Sequence, residues 1–244
     1  MSRRTRARSR SRGSLIAGSR DSDDEVDQDE TLRFDGIPQM KLLYVRASPF
    51  VRKVMVLLAE AGRTGDVELV AGFGSPTAPH PAVVAANPVG KIPCLILDDG
   101  TTLYDSRVIT RYLDERHGLG LYPRDERVWA TLTLEAHADG ILDAAVLCVY
   151  ESRCRDEAIR SPAWLAGQHA KITRALDALE ARWLGHLDGP LDIGQIAVGC
   201  ALEYLDFRLE IGGWPPWREG RTPLAAWAEA FGERPSMRTT RPAD

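Results

Sequence analysis

Cysteine is scarce and scattered in this chain. The four residues Cys94, Cys148, Cys154 and Cys200 form no Cys-x-x-Cys and no His/Cys cluster at metal-ligand spacing. That excludes the usual zinc sites and a disulfide framework. Free thiols suit a reducing cytosol, the expected location. Long apolar runs are also missing. None approaches the roughly 18 residues of a membrane-crossing helix, and no signal-peptide core follows the first residues. Positive excess is lacking as well: the net charge of −4 argues against a general nucleic-acid binder, which would be strongly basic. No membrane, metal or nucleic-acid partner is therefore expected. With 44% of 244 residues hydrophobic, the chain can bury one sizeable core or two modest ones.

The first 39 residues stand apart. Residues 1–20 carry seven arginines and no acid, and residues 21–30 carry seven acids and no base. The two blocks cancel, so the net charge belongs to the rest of the chain. Such segregated charge with few apolar residues predicts a disordered extension over 1–39. An Arg/Ser-rich stretch also occurs in transit peptides and nucleic-acid arms, but the acidic block beside it weakens both readings. The preferred reading is an upstream extension of the reading frame, because Met40-Lys41-Leu42-Leu43-Tyr44 looks like a natural start running into a strand.

Residues 40–117 read as a first folded unit. Lys41 to Val45 is a buried-strand candidate. Ser48 then sits at an N-cap and Pro49 in the first turn of a helix. In that helix Val51, Val54, Met55, Leu58 and Ala61 recur on one face, Arg52, Lys53 and Glu60 mark the wet face, and Gly62 closes it. A second strand (66–70), a Gly/Pro loop and a short helix (81–86) follow. The break 87–93 leads into a hairpin of strands at 94–97 and 101–104, turning at Asp98-Asp99-Gly100. Asp105-Ser106 caps a last helix with Val108, Ile109, Tyr112 and Leu113 inward, ending near His117-Gly118. That order suits a mixed sheet with helices packed on it.

Residues 118–123, with Gly and Pro, read as a linker to an all-helical unit over 124–244. A long helix begins near Asp125, with Trp129, Leu132, Leu134, Ala136, Ile141, Leu142, Ala145, Val146 and Val149 as its apolar faces. Another starts at Pro162. Asp192-Ile193-Gly194-Gln195 reads as a capping box in which Gln195 answers the reciprocal bond. Trp214 and Trp217, in a Gly/Pro loop, read as packing anchors.

Four strings together resemble a known family. The run Ser48-Pro49-Phe50-Val51-Arg52-Lys53-Val54, the run Asn87 to Pro93, Leu103 to Ile109 and Tyr112 to Arg116 are similar, in order and spacing, to serine-type bacterial glutathione transferases. Tyr204 to Arg208, Pro223 to Trp227 and Arg234 to Pro242 extend the similarity to residues 40–242. The resemblance implies an α/β thioredoxin-like N-terminal domain, an all-α bundle and a homodimer. It also implies glutathione as co-substrate.

Each site residue follows from that resemblance and retains a plainer alternative. Ser48 matches the catalytic serine, whose hydroxyl and helix start would lower the pKa of a bound thiol; alone it would simply cap. Tyr44 is the rival donor. Pro93 matches a cis proline that lets Ile92 pair with the glutathione backbone like an added strand; otherwise it starts a strand. Lys91 matches a position reaching the glycyl carboxylate. Asp105 and Ser106 match the acid–serine pair that holds the γ-glutamyl end, although the family more often has Glu first. Glutaredoxins, relatives that exchange disulfides on this fold, need a cysteine at the helix mouth. Ala47-Ser48-Pro49-Phe50-Val51 has none.

The leading expectation is an enzyme that directs the glutathione thiolate onto small electrophiles or peroxides. The alternatives are a non-catalytic transferase-like module and a narrow glutathione-dependent isomerase, lyase or dehalogenase. The acceptor pocket is expected between the domains, against the long helix carrying His137, Asp139, Asp143 and Tyr150, each more readily a solvated or interface residue.

Overall fold

In the computed structural model the described residues are 40–72 and 74–244; the disordered extension expected over 1–39 lies outside them. Strand β1 (Met40–Tyr44) runs into helix α1 (Pro49–Glu60), strand β2 (Val67–Ala71) and helix α2 (Pro81–Ala86). The hairpin β3 (Cys94–Ile96) and β4 (Thr102–Leu103) follows, then α3 (Ser106–His117). The sheet order is β2-β1-β3-β4. β1 pairs parallel with β2, Leu42 opposite Leu69, and antiparallel with β3, Leu42 opposite Leu95. Met40 and Leu42 on one face of β1 enter one core cluster and Leu43 on the other enters a second, so both faces are covered and the strand is nearly all apolar. Gly118, with φ 63°, ends α3 in a left-handed cap that its missing Cβ permits.

The rest is helical. The 28-residue α4 (Arg127–Cys154) is followed by α5 (Pro162–Ala178), α6 (Leu184–Leu187), α7 (Ile193–Phe207), α8 (Leu209–Gly212), α9 (Thr222–Gly232) and α10 (Pro235–Thr239). The architecture is thus a small mixed four-stranded sheet with helices, followed by a helical region. Cores interlock across the two parts. Ile193, Ile196 and Cys200 of α7, with Phe231 and Met237, pack into the cluster built on β1, α1 and α3. The connecting residues Leu121 and Tyr122 are buried in the same cluster.

Several expectations change at this junction. Arg52, Lys53 and Glu60 do not face water. Arg52 reaches Glu203 at 2.6 Å and the Met237 carbonyl at 3.1 Å. Lys53 is wholly buried against α4. Glu60 accepts two bonds from Arg234 at 2.9 and 2.8 Å and one from the Ser236 hydroxyl. The polar face of α1 is the face that the helical region covers, and each charge there is paired. Val108 and Trp129, expected inward, are 47% and 70% exposed. Trp214 and Trp217 are buried, their indole N–H groups donating to the Leu205 carbonyl and Asp206.

Asp192 does cap α7, accepting from the Gln195 N–H at 3.1 Å. Gln195 does not return the bond. Its amide donates to the carbonyls of His186, Gly189 and Pro190 at 3.0 to 3.1 Å. The turn before the helix brings those carbonyls together around one amide, which satisfies all three.

The Glu60 pairing has a pH signature. Arg234's hydrogen bonds, against partial burial and with help from Ser236, hold the Glu60 carboxyl below its usual range. A lowered native pKa stabilises the fold above the unfolded value, and that contribution fades as the pH falls through the native one. Glu60→Gln is expected to lose about 1–2 kcal/mol at pH 7, discounted for partial exposure. Urea unfolding should show the gap between mutant and parent closing below about pH 4.3, the ordinary Glu value.

Candidate active site

The start of α1 shapes the first half of the site. Ser48 is extended, with φ −80° and ψ 121°, and its Oγ accepts from the Val51 N–H at a long 3.4 Å. Accepting uses a lone pair of the oxygen, so the hydroxyl proton stays free to donate. Ser48 is half-buried, and the helix it caps points its positive end the same way. Tyr44 lies at the end of β1, its carbonyl accepting from Gly72 N–H at 3.0 Å, and its half-buried ring packs on the core beneath the sheet.

The second part is the turn before β3. The Ile92–Pro93 peptide is cis. Pro93 is buried, Ile92 half-buried and Lys91 exposed. Asn87, buried and not singled out from sequence as a site-shaping residue, organises this turn. Its amide donates to the Lys91 carbonyl at 2.8 Å and accepts from Val89 N–H at 3.0 Å. The signal was there: an Asn before Pro-x-Gly is poised to bond its own backbone two residues on.

The third part is the start of α3. Asp105 caps it, accepting from Arg107 N–H at 3.0 Å and from the Arg107 guanidinium at 2.9 Å. Partial burial would raise the Asp105 carboxyl, but the Arg107 hydrogen bonds and charge outweigh it and hold it low. Asp105 is thus an anion beside a buried Ser106.

Beneath these three parts runs a polar network. Lys53 donates to Glu135 at 2.9 Å and to both oxygens of Asp139 at 3.0 Å. Arg107 approaches Asp139 at 3.7 Å. The Tyr122 hydroxyl lies 3.2 Å from Glu135 and 2.8 Å from the Thr110 hydroxyl, which in turn lies 2.8 Å from the Ser106 carbonyl, a chain in which each hydroxyl has one proton to give. Burial works to strip Lys53 of its proton, but Asp139 and Glu135 reverse that and raise its pKa. The ammonium is therefore permanent. Lys53, Glu135 and Tyr122 were not among the sequence candidates.

On α4, the residues after Asp139 on the same face are Asp143, Leu147 and Tyr150, all exposed. Partial burial and then the Asp139 charge push the Asp143 carboxyl up, against Lys91 and Arg107. So Asp143 lies within electrostatic reach of both the 87–93 turn and the α3 start. His137 is elsewhere, 2.9 Å from the Ala175 carbonyl of α5. Phe50, next to Pro49, packs onto the helical core. The arrangement is a polar cradle of helix starts and an exposed turn on one side, with an α4 face of two carboxyls, a leucine and a tyrosine opposite.

Residues 47–116 match the family described as Glutathione S-transferase, N-terminal domain, and residues 162–230 match Glutathione S-transferase, C-terminal domain. The uncharacterized GST-like protein YibF of Escherichia coli (strain K12) is 36% identical over 183 residues, covering 72% of this chain and 86% of that protein. The chain belongs to the glutathione S-transferase family. A crystal structure of a glutathione transferase family member from Pseudomonas fluorescens Pf-5 with bound glutathione superposes with a TM-score of 0.80 at 50% identity, covering 84% of this chain and all of that one. A second, with bound S-(propanoic acid)-glutathione, gives 0.76 at 48% identity over 84% of this chain and all of that one. Against this family, Cys94 is an ordinary core residue: buried, its thiol pushed up to about 11 by desolvation.

Proposed function

We propose that this glutathione transferase family member is an active enzyme in which Ser48 stabilises the thiolate of bound glutathione for attack on small electrophiles or peroxides. The observation that carries the reading is the Ser48 hydroxyl, placed at the start of α1 with its proton uncommitted. Ile92 beside the cis Pro93 pairs with the cysteinyl backbone of the tripeptide, and Lys91 reaches the glycyl carboxylate. The anionic Asp105 meets the α-ammonium, while Ser106 and the α3 start take the γ-glutamyl carboxylate. Relatives that hold glutathione, and in one case an S-substituted conjugate, support a site of this kind.

The remainder of the reading is coarser. A cytoplasmic location is supported by four free cysteines, three of them buried. A homodimer is supported by the exposed Val108 and Trp129 on α3 and α4. Between those helices lies an open groove of about 410 Å³ lined by Val108, Leu132 and Ala136 together with the charged Arg107, Arg111 and Glu135.

The test is calorimetric titration with glutathione, followed by turnover assays with an aryl halide and an organic hydroperoxide. Micromolar-to-millimolar binding with turnover on either supports the proposal. Absence of binding would leave a transferase-like scaffold without the enzyme.

A further inference from the structure

Arg208, at the end of α7, is an unusual cation. It is only 4% exposed, stacks on the Phe207 ring at 3.9 Å, and its Nε has no partner among the described residues. A buried guanidinium must be neutralised, and its two terminal nitrogens do reach one carboxylate, bidentately, at 3.0 and 2.7 Å. That carboxylate belongs to Asp244, whose side chain is 67% exposed. Arg153 of α4 adds a contact at 3.2 Å. A purely structural buried pair normally sinks both partners; here the cation is fixed and the anion sits in solvent, where it can be exchanged.

The position matters. Arg153 is three residues beyond Tyr150 on α4, and Tyr204 lies within electrostatic reach of Tyr150, Arg153 and Arg208. The segment carrying Asp244 passes the nucleophile's loop: Arg46, two residues before Ser48, donates to the Arg241 carbonyl at 3.2 Å. Three extended residues span at most about 10 Å, so the arginine pair is tied to that loop through the Arg46 side chain and the short 241–244 segment.

We propose that Arg208 and Arg153 form a carboxylate-binding subsite of the acceptor cleft, occupied in cis by the Asp244 side chain, and that preferred acceptor electrophiles carry a carboxylate. This rests on the glutathione transferase reading above and names its substrate class. An incoming acid displaces Asp244, keeps Arg208 neutralised and fixes the reactive carbon toward the sulfur. A neutral acceptor must leave Asp244 in place. No bond is made or broken at the subsite; one carboxylate replaces another.

Binding of S-(ω-carboxyalkyl)glutathiones with two to six methylenes, compared by calorimetry with their carboxamides, isolates this charge. At the best length the acid is expected to bind about tenfold tighter, the worth of a charge-assisted hydrogen bond. Arg153→Gln and Arg208→Gln should erase the preference without weakening plain glutathione, and Asp244→Asn should strengthen it by removing the competitor. Arg153→Gln changes an exposed side chain and leaves the Arg208–Asp244 pair intact, so the comparison survives if a variant at that pair misfolds. Equal affinities for acid and amide at every length, with glutathione still bound, would make the contact an internal latch only and overturn the subsite. Failure of glutathione itself to bind would overturn the underlying reading instead.

Discussion

Lys53→Met is expected to cost about 3–5 kcal/mol of stability at neutral pH, the usual consequence of removing one member of a buried ion cluster. Folded domains hold only about 5–15 kcal/mol in total, so the variant should unfold at a much lower urea concentration. The reason lies in what stays behind. Lys53 is fully buried and satisfies Glu135 and both oxygens of Asp139. Without it, two carboxylates one helical turn apart face a low-dielectric junction, each raising the other's pKa.

That predicts a pH dependence steeper than the parent's, in which burial already pushes the Glu135 carboxyl up against the pull of Lys53. In the variant the native carboxyl pKa values lie above the unfolded ones. Such groups favour the fold at pH below the unfolded value, and lose that contribution as the pH rises through the native value. The deficit should therefore shrink near pH 4 and grow toward pH 7. Replacing the cluster together, Lys53→Met with Glu135→Leu and Asp139→Leu, should recover most of the loss, because no unpaired charge remains. Urea unfolding at pH 4.5 and 7.5 measures both. A loss under about 1 kcal/mol at pH 7.5 would mean that water reaches the cluster.

The same cluster shows why parts of this protein can be read from its sequence and others cannot. Strands, helix starts and turns carry local signals: Pro49 and Pro81 at first helical positions, Asp105 at a cap, Gly118 in a left-handed stop. Those signals are enough to put Ser48 and Asp105 at helix starts from the sequence alone. Periodicity, by contrast, sorts polar from apolar faces and does not say what covers a polar face. Arg52, Lys53 and Glu60 read as solvated because their partners, Glu203, Glu135 with Asp139, and Arg234, lie 82 to 174 residues away. Val108 failed for the converse reason, since an apolar residue can lie on a helix flank that this chain alone leaves open. The proposed acceptor side is illegible in the same way. α4, α7 and the Arg241–Asp244 segment meet only in three dimensions.

Ser48→Ala is the second large effect expected, and it acts on chemistry rather than on the fold. The hydroxyl's cap to Val51 is long at 3.4 Å, so its loss should cost no more than about 1 kcal/mol, and circular dichroism should be unchanged. Conjugation is another matter. A thiol left without its donor titrates near 8.5, so at pH 6.5 to 7 most bound glutathione becomes protonated. Losing one such preorganised donor is expected to lower kcat/KM about a hundredfold there. The sign of the pH effect separates this from general damage. The donor favours the anion, so the parent's rate should rise through a depressed pKa, and the variant's inflection should move upward toward the free-thiol value. The two profiles then converge above about pH 9, once the thiol ionises unaided. A variant that keeps the parental inflection would show that the proton of Ser48 is not what meets the sulfur. Tyr44→Phe would then be the informative substitution, since Tyr44, the last residue of β1, carries the alternative hydroxyl donor.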